Sequence, residues 1–489
     1  MRGRRRQALL LAVALGSACG GEASVIPFLD GPLTVEVRYP TGEAVGSTDS
    51  IATWGTVGTG RATLLINGAE VTVEPNGTFA TFVPRPDGPG AALVFEARRG
   101  SDTVRRSVPV PVRAGRRAPA PVVRSADRWI LVRRPPSDTV DSATQARPVF
   151  SRWTPGGDLA LPLTQGLRLR VSAETDGAVR LALAPGWAVW IPSDEAPPAP
   201  PPAAPRQIAR VALSEGRLGW SVDAFTGEQL ASHVDVTGER VRWTLFAAGA
   251  TAAGPAPRGP IQSARVRDGR DGRVLIELRL AAPPLAWRVV WRDGAMRLEL
   301  RERPRGIDGL VVALDPGHPP LGTVGPGGLH EDSVTLAVAR VAAERLERLG
   351  ARVVLTRLDE RPVSIDQRLA IAEAANAHVF LSIHLNSPGE GRPPESVDGT
   401  RGFWLDPSQF DLAVALRDSV AAAMGQVPVA TVQSNLAVLR ATWFRSVLVE
   451  ATALVLPARE AYFRTDAGVA AYADGLVRGL EAWAGSPSP

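Results

Sequence analysis

Lysine is absent from this 489-residue chain, and all 55 basic residues are arginine. Tyrosine occurs 3 times, histidine 5 times and cysteine once. Each scarcity excludes something. A lone Cys19 forms no disulfide within the chain, so stability must come from packing. Without Lys, and with few Tyr, almost nothing titrates between about pH 8 and 12. The sequence pI of 10.3 therefore reflects missing titration and not a strong field. A net charge of +5 over this length is weak. No basic stripe interleaves with aromatics, so nucleic acid is not expected as a partner.

What is present suits a globular, turn-rich chain. Apolar residues make up 45%, with 48 Gly and 43 Pro, enough for real cores and for several domains. The start, "MRGRRRQALLLAVALGSACGG", places arginines before a short apolar run and small residues before Cys19. Residues 1–19 read as a secretory signal, too short for a stable membrane helix. The small residues before Cys19 resemble a bacterial lipobox, although Gly16 stands where Leu is usual. That resemblance implies cleavage before Cys19, lipidation of its thiol and a membrane anchor.

The expected fold class is multidomain, with all-β modules followed by an α/β domain with a mostly parallel sheet. Residues 31–113 alternate and break at Asn-Gly or Gly turns, as in an immunoglobulin-like β-sandwich. Residues 127–195 form a small β-module resembling SH3-like barrels. "APPAPPPAAP" heads a Pro-rich linker over 196–206. Residues 207–303 are again β. Lying just before a different kind of domain, they resemble the AMIN modules that target wall amidases.

From 308 the pattern changes. Strands are expected at 311–314, 352–356, 379–383, 401–405, 437–440 and 446–450. A first helix buries Val334, Val338, Val341, Ala342, Leu346 and Leu349 and ends at Gly350. A second opens with Ser364 and Gln367 at capping-box spacing. A third starts near Ser408, and a last spans 466–484. Alternating strands and helices imply a mostly parallel sheet, and ligands bind outside the carboxyl ends of such strands. His318, His384 and Glu450 follow or close three of them. Glu331 starts the first helix, returning from the His318 loop. Two His and a carboxylate with an open fourth position form the ligand set of a catalytic zinc site. A second carboxylate is then needed to move a proton. On the residues alone, Glu331 and Glu450 divide these roles in either order.

The words "ALDPGH", "GPGGLHED", "VVLTR", "RLAIAEAANAHVFLSIHLNS", "GFWL" and "SVLVE" stand in one order over residues 308–485. In that order they resemble the zinc-dependent N-acetylmuramoyl-L-alanine amidase family, type 3 catalytic domain. The resemblance implies Zn2+ held by His318, Glu331 and His384, with Glu450 as the catalytic carboxylate. It also implies peptidoglycan as substrate and a periplasmic or envelope location. The β-modules are expected to engage the wall or envelope and division proteins. Two rivals are a silent wall-binding lipoprotein and a zinc carboxypeptidase on stem peptides.

Two departures fall beside the site. Pro319 and Pro320 replace a usual Gly pair, and "EATALVLP" replaces the usual Gly-aromatic and Asn after the catalytic Glu. Asn386 is a candidate cleft residue. His330 is expected to point elsewhere, His378 to be structural and His233 to lie in another domain. Arg357 and Arg368 are expected to pack or pair. Glu450 taken alone has the alternative reading of a buried strand-end carboxylate paired with Arg440 or Arg357. No segment within 385–436 is long enough for a detachable helix that would cover the zinc, so control is expected from localisation.

Overall fold

The computed structural model describes residues 26–486 apart from 89, 114–119, 137–141, 143–146, 204–205, 247–248, 270 and 321. The leader over 1–19, with Cys19, lies outside the described residues, as do 204 and 205 of the Pro-rich linker. No described helix is long and apolar enough to cross a membrane.

Three β-modules precede the α/β unit. In the first, strands Glu36–Tyr39, Ser50–Thr56 and Thr78–Pro84 form one antiparallel sheet. Strands Thr63–Ile66, Ala69–Val71, Ala92–Arg99 and Asp102–Pro109 form the other. Phe79, Leu64, Ile66, Leu93 and Phe95 fill the space between them. The expected Asn-Gly turn is present at Asn67 and Gly68, both with positive φ, as a tight hairpin requires. The second module is one six-stranded antiparallel sheet running from Arg124–Leu131 to Trp187–Pro192. In the third, two four-stranded sheets enclose Val222, Trp243, Ile276 and Leu298.

The α/β unit has one six-stranded sheet. Its order is Arg352–Leu355, Val311–Pro316, Val379–Asn386, Arg445–Ala453, Thr400–Trp404, Pro428–Gln433. The first four strands are parallel, and Thr400–Trp404 runs antiparallel to Arg445–Ala453. The central strands are buried on both faces, which is why they read as unbroken apolar runs. The strand expected at 437–440 is instead a 3-10 turn, Ala437–Leu439, and the sixth strand is Pro428–Gln433. Val438 and Leu439 are buried against Leu369, Phe380 and Phe444, so burial, not sheet pairing, explains their apolarity. The true strand lies at the edge, half-exposed and opened by Pro428, so it carries a weak signal.

Helix Glu331–Arg348 and helix Asp466–Gly485 pack on one face. Gly350 follows the first with φ 88°, the usual helix stop. Leu349, expected on the apolar stripe, lies past the helix end and is exposed. Helix Ile365–Ala374 opens with the expected capping box of Ser364 and Gln367. Helix Phe410–Ala423 lies against Asp466–Gly485 so closely that a Cβ at Gly475 would come within 2.5 Å of Val420 Cα. It is the only α-helix within 385–436, and its Leu412, Leu416 and Val420 belong to the main core. A short helix not expected from sequence, Pro457–Phe463, follows the Glu450 strand.

The modules clasp the α/β unit. Arg301 of the third module is 2% exposed and donates to the carbonyls of Asn376, Ala377 and Trp443. Burial pushes its pKa down to about 10. Arg147 reaches Glu373 at 2.7 Å. Beside this junction His378 accepts the Val311 N–H on Nδ1 at 2.9 Å, which fixes it as neutral. Burial, then Arg301 and Arg352, push its pKa down to about 4.

The unfolded imidazole titrates near 6.5, so acid favours the unfolded chain. Stability is complete above about pH 6.5 and falls as pH drops toward 4. His378→Asn, which keeps an acceptor but does not titrate, should lose less stability over this interval. The gap should reach about 2 kcal/mol near pH 4, part of the full effect being screened by solvent. Urea unfolding of both proteins across that range measures it.

Candidate functional site

The site lies at the carboxyl ends of the central strands. Strand Val311–Pro316 ends in Gly317, whose N–H donates to the Ile383 carbonyl at 2.9 Å. A Cβ on Gly317 would stand 2.4 Å from the His384 ring, so only glycine lets the chain pass. His318 follows with φ 61°, a left-handed conformation that turns the chain sharply out of the strand.

Arginines hold this loop. Arg368 pairs with Asp315 at 2.9 Å and donates to the carbonyls of Pro316 and His318. Arg357 donates to the carbonyls of Pro316, Gly317 and Asp332. Both were expected as packing or ion-pair residues, and both brace the loop that carries the imidazole. Arg440 turns to Asn435, so neither Arg357 nor Arg440 pairs with Glu450.

His318, Glu331 and His384 come together with one donor atom from each inside a 4.8 Å span. Glu331 Oε1 lies 3.3 Å from His318 Nε2 and 3.2 Å from His384 Nδ1. Ligand atoms about 2.0–2.1 Å from one tetrahedral zinc stand about 3.3–3.4 Å apart, so the triad fits that ion in donor type, and the two carboxylate–imidazole distances fit it in spacing. His318 Nδ1 faces the Pro320 carbonyl at 3.2 Å. That contact assigns the proton to Nδ1 and leaves Nε2 free as a ligand.

Glu331 is 2% exposed. Its Oε2 accepts the Thr323 N–H and its Oε1 the Leu385 N–H, each at 2.9 Å. The strand pairing slips between His384 and Asn386, and the Leu385 N–H turns to this carboxylate. Burial opposes ionisation of Glu331, but the His318 and His384 imidazoles facing it outweigh burial and hold the carboxyl well below the usual range.

Glu450 sits in register with His384 on one side and Arg401 on the other. Its Oε2 is buried with no hydrogen-bond partner among the described residues. Burial pushes its pKa up to about 7, the nearby His384 pulling the other way. The two carboxylates are thus unlike. Glu331 is saturated with donors and fixed, whereas Glu450 is bare and poised to take a proton.

Asn386 braces the following loop, donating to the Val397 carbonyl at 3.2 Å and accepting from Ser387 N–H. His330 is the exposed residue before the first helix. His233 lies in the third module beside Asp235. Two supports escaped sequence reasoning. Tyr472, on the last helix, donates its hydroxyl toward the carbonyls of His384 and Val449, tying together the ends of both site strands. Glu460, on the unexpected short helix, accepts the N–H groups of Gly327 and Leu329 at 2.6 and 2.8 Å. A lone acid between two helical runs gave no sign of this.

Residues 312–482 match the family described as N-acetylmuramoyl-L-alanine amidase. This is the part of the chain that is similar to known amidases. The amidase AmiC of Neisseria meningitidis serogroup B is 40% identical over 79 residues, 16% of this chain and 19% of its own length. The amidase LytC of Bacillus subtilis is 30% identical over 157 residues, 32% of this chain and 31% of its own. The solved amidase AmiC2 of Nostoc punctiforme is 30% identical, covers 36% of this chain and 97% of its own, and aligns with a TM-score of 0.33. The chain spans between 19% and 52% of the length of the curated relatives it matches. His318, Glu331, His384 and Glu450 all fall inside the matched segment.

The Asp315–Arg368 pair is almost fully buried, at 2% and 5% side-chain exposure. Arg368→Ala strands a buried carboxylate and frees the His318 loop. It should cost about 3–5 kcal/mol, read from the urea unfolding midpoint.

Proposed function

We propose that this protein hydrolyses the amide bond between N-acetylmuramic acid and L-alanine in peptidoglycan. The observation that carries this reading is the pairing of a His318–Glu331–His384 triad, its Glu331 saturated with donors, with a half-buried Glu450 whose buried Oε2 has no hydrogen-bond partner among the described residues. His318 Nε2, Glu331 Oε1 and His384 Nδ1 would hold the zinc. When bound, the ion would lower the pKa of water to about 7 and polarise a carbonyl oxygen.

The chain's own groups supply the rest. Glu450 Oε2, with no competing donor, takes the proton from the attacking water and returns it to the leaving nitrogen. Burial, which disfavours its charged form, suits it to accept that proton. The Pro320 carbonyl keeps His318 oriented, and the backbone N–H groups of Thr323 and Leu385 keep Glu331 oriented. Lipidation at Cys19 would place the enzyme in the envelope on a membrane. The modules over 31–113, 127–195 and 207–303 would address it to the wall or to envelope proteins.

Purified peptidoglycan incubated with the zinc-loaded protein should release stem peptides bearing an L-alanine N-terminus. Release of free D-alanine instead would indicate the carboxypeptidase reading, and no release the silent binder. Glu450→Ala should retain zinc and lose at least about 100-fold in rate, the usual worth of a general acid–base group. His384→Ala should instead lose zinc. Metal analysis after dialysis separates the two variants, and a Glu450→Ala protein that arrives without zinc would make Glu450 a ligand.

A further inference from the structure

The loop that delivers Glu331 has little structure of its own. Residues 323–331 close on themselves by a short ladder: the Glu331 N–H to the Thr323 carbonyl, the Gly325 N–H to the Leu329 carbonyl, and a bridge between Val324 and His330. Glu460 and Arg464 hold the tip from the short helix behind it. One further prop comes from outside the α/β unit. Trp54, in the middle of strand Ser50–Thr56 of the first sandwich, donates its indole N–H to the Val324 carbonyl at 2.9 Å.

The contact is built, not incidental. Trp54 is 6% exposed and stacks on Tyr39 with ring centroids 4.7 Å apart. Ala52, Ala80 and Phe82 complete an apolar face that packs on Val397, Ala453, Val455 and Leu456. That sheet therefore carries apolar residues on both sides, whereas the outward side of a free sandwich is polar. Val397 lies in the loop that leaves the His384 strand, and Val455 in the loop that leaves the Glu450 strand. Glu390, also on the first of these loops, accepts from Gly46 N–H at 3.1 Å and from Arg113 at 3.2 Å. Loops from three site residues thus rest on one surface of a domain 270 residues or more away in sequence.

We infer that the first sandwich is part of the catalytic unit and that Trp54 is a positioning residue for Glu331. It holds Val324, Val324 adjoins Thr323, and the Thr323 N–H orients the ligand carboxylate. The segment that matches the amidase family is incomplete without this support. The inference rests on the proposed metal role of Glu331, and it extends the reading of the β-modules beyond localisation.

Trp54→Phe in the full chain removes the N–H and keeps the ring. Zinc affinity, measured by competition with a chelator, should fall about 10-fold, in the range seen when outer partners of ligands are removed. On peptidoglycan kcat should fall by a similar factor with KM little changed. Phe82→Ala, which thins the apolar contact and leaves the indole bond, should lower the melting temperature while zinc affinity stays near wild type. Wild-type zinc affinity in Trp54→Phe overturns the inference. So does a loss of affinity that tracks melting temperature equally in both variants, which would make the contact merely structural. A rise in kcat would overturn it too, since the sandwich would then be an obstruction. Chelator competition needs no substrate, so failure of the amidase reading and failure of this inference are told apart.

Discussion

The site depends on one buried carboxylate. Asp315 accepts from Arg368, from Thr356 and from Ser382, so it joins three neighbouring strands at the level where they end. A buried anion without donors would be costly, and satisfying it requires these strands to hold one register. Arg368 then carries the constraint forward, because the same guanidinium grips the carbonyls of Pro316 and His318. The imidazole is therefore indexed to the sheet and not to its own irregular loop. His384 and Glu450 need no such device, since they lie on the central strands themselves.

The division of labour between the two glutamates follows from donor supply. Both are held near the same two imidazoles. Glu331 opens a helix and receives two backbone N–H groups, which fix the anion and its direction. Glu450 receives none on Oε2 among the described residues, and burial, joined by the nearby Glu331 charge, raises its pKa. A carboxylate that is fully hydrogen-bonded makes a good ligand and a poor base. One that is desolvated and unpaired has the opposite character. Sequence reasoning left the order of these roles open until the family resemblance was invoked, because donor supply is a property of the folded backbone.

Much of the α/β unit was legible because its signals are local. Apolar runs marked the central strands, Ser364 and Gln367 marked a cap, and Gly350 marked a stop. His318, His384 and Glu450 followed from strand ends, and Glu331 from a helix start. What escaped were features set by distant partners. Val438 and Leu439 are apolar because they pack on Phe444, which no periodicity distinguishes from a strand. Glu460 looks like any surface acid until the loop folds onto it. Asn386, a candidate cleft residue, donates its amide to the Val397 carbonyl, a partner that no local pattern marks. The alternating pattern of the first sandwich gave its strands but not the docking role of its outward face, since Ala52 and Ala80 are too small to announce a contact.

The missing lysine has a structural counterpart at these junctions. The modules meet, and the site loop is braced, through backbone carbonyls gathered by buried guanidiniums. Arg301 serves three such carbonyls across the junction of the third module. Arg445 serves Ser408 and Pro284. Arg357 serves Pro316, Gly317, Asp332 and Asp359. A guanidinium offers five donors in a fixed plane and is more weakly hydrated than an ammonium, so it can be buried among several carbonyls and remain charged. A lysine there would offer three donors from one point and would readily lose its proton on burial. In a chain without disulfides, these planar clamps and the apolar faces beside them are what join separately folded modules into one working site.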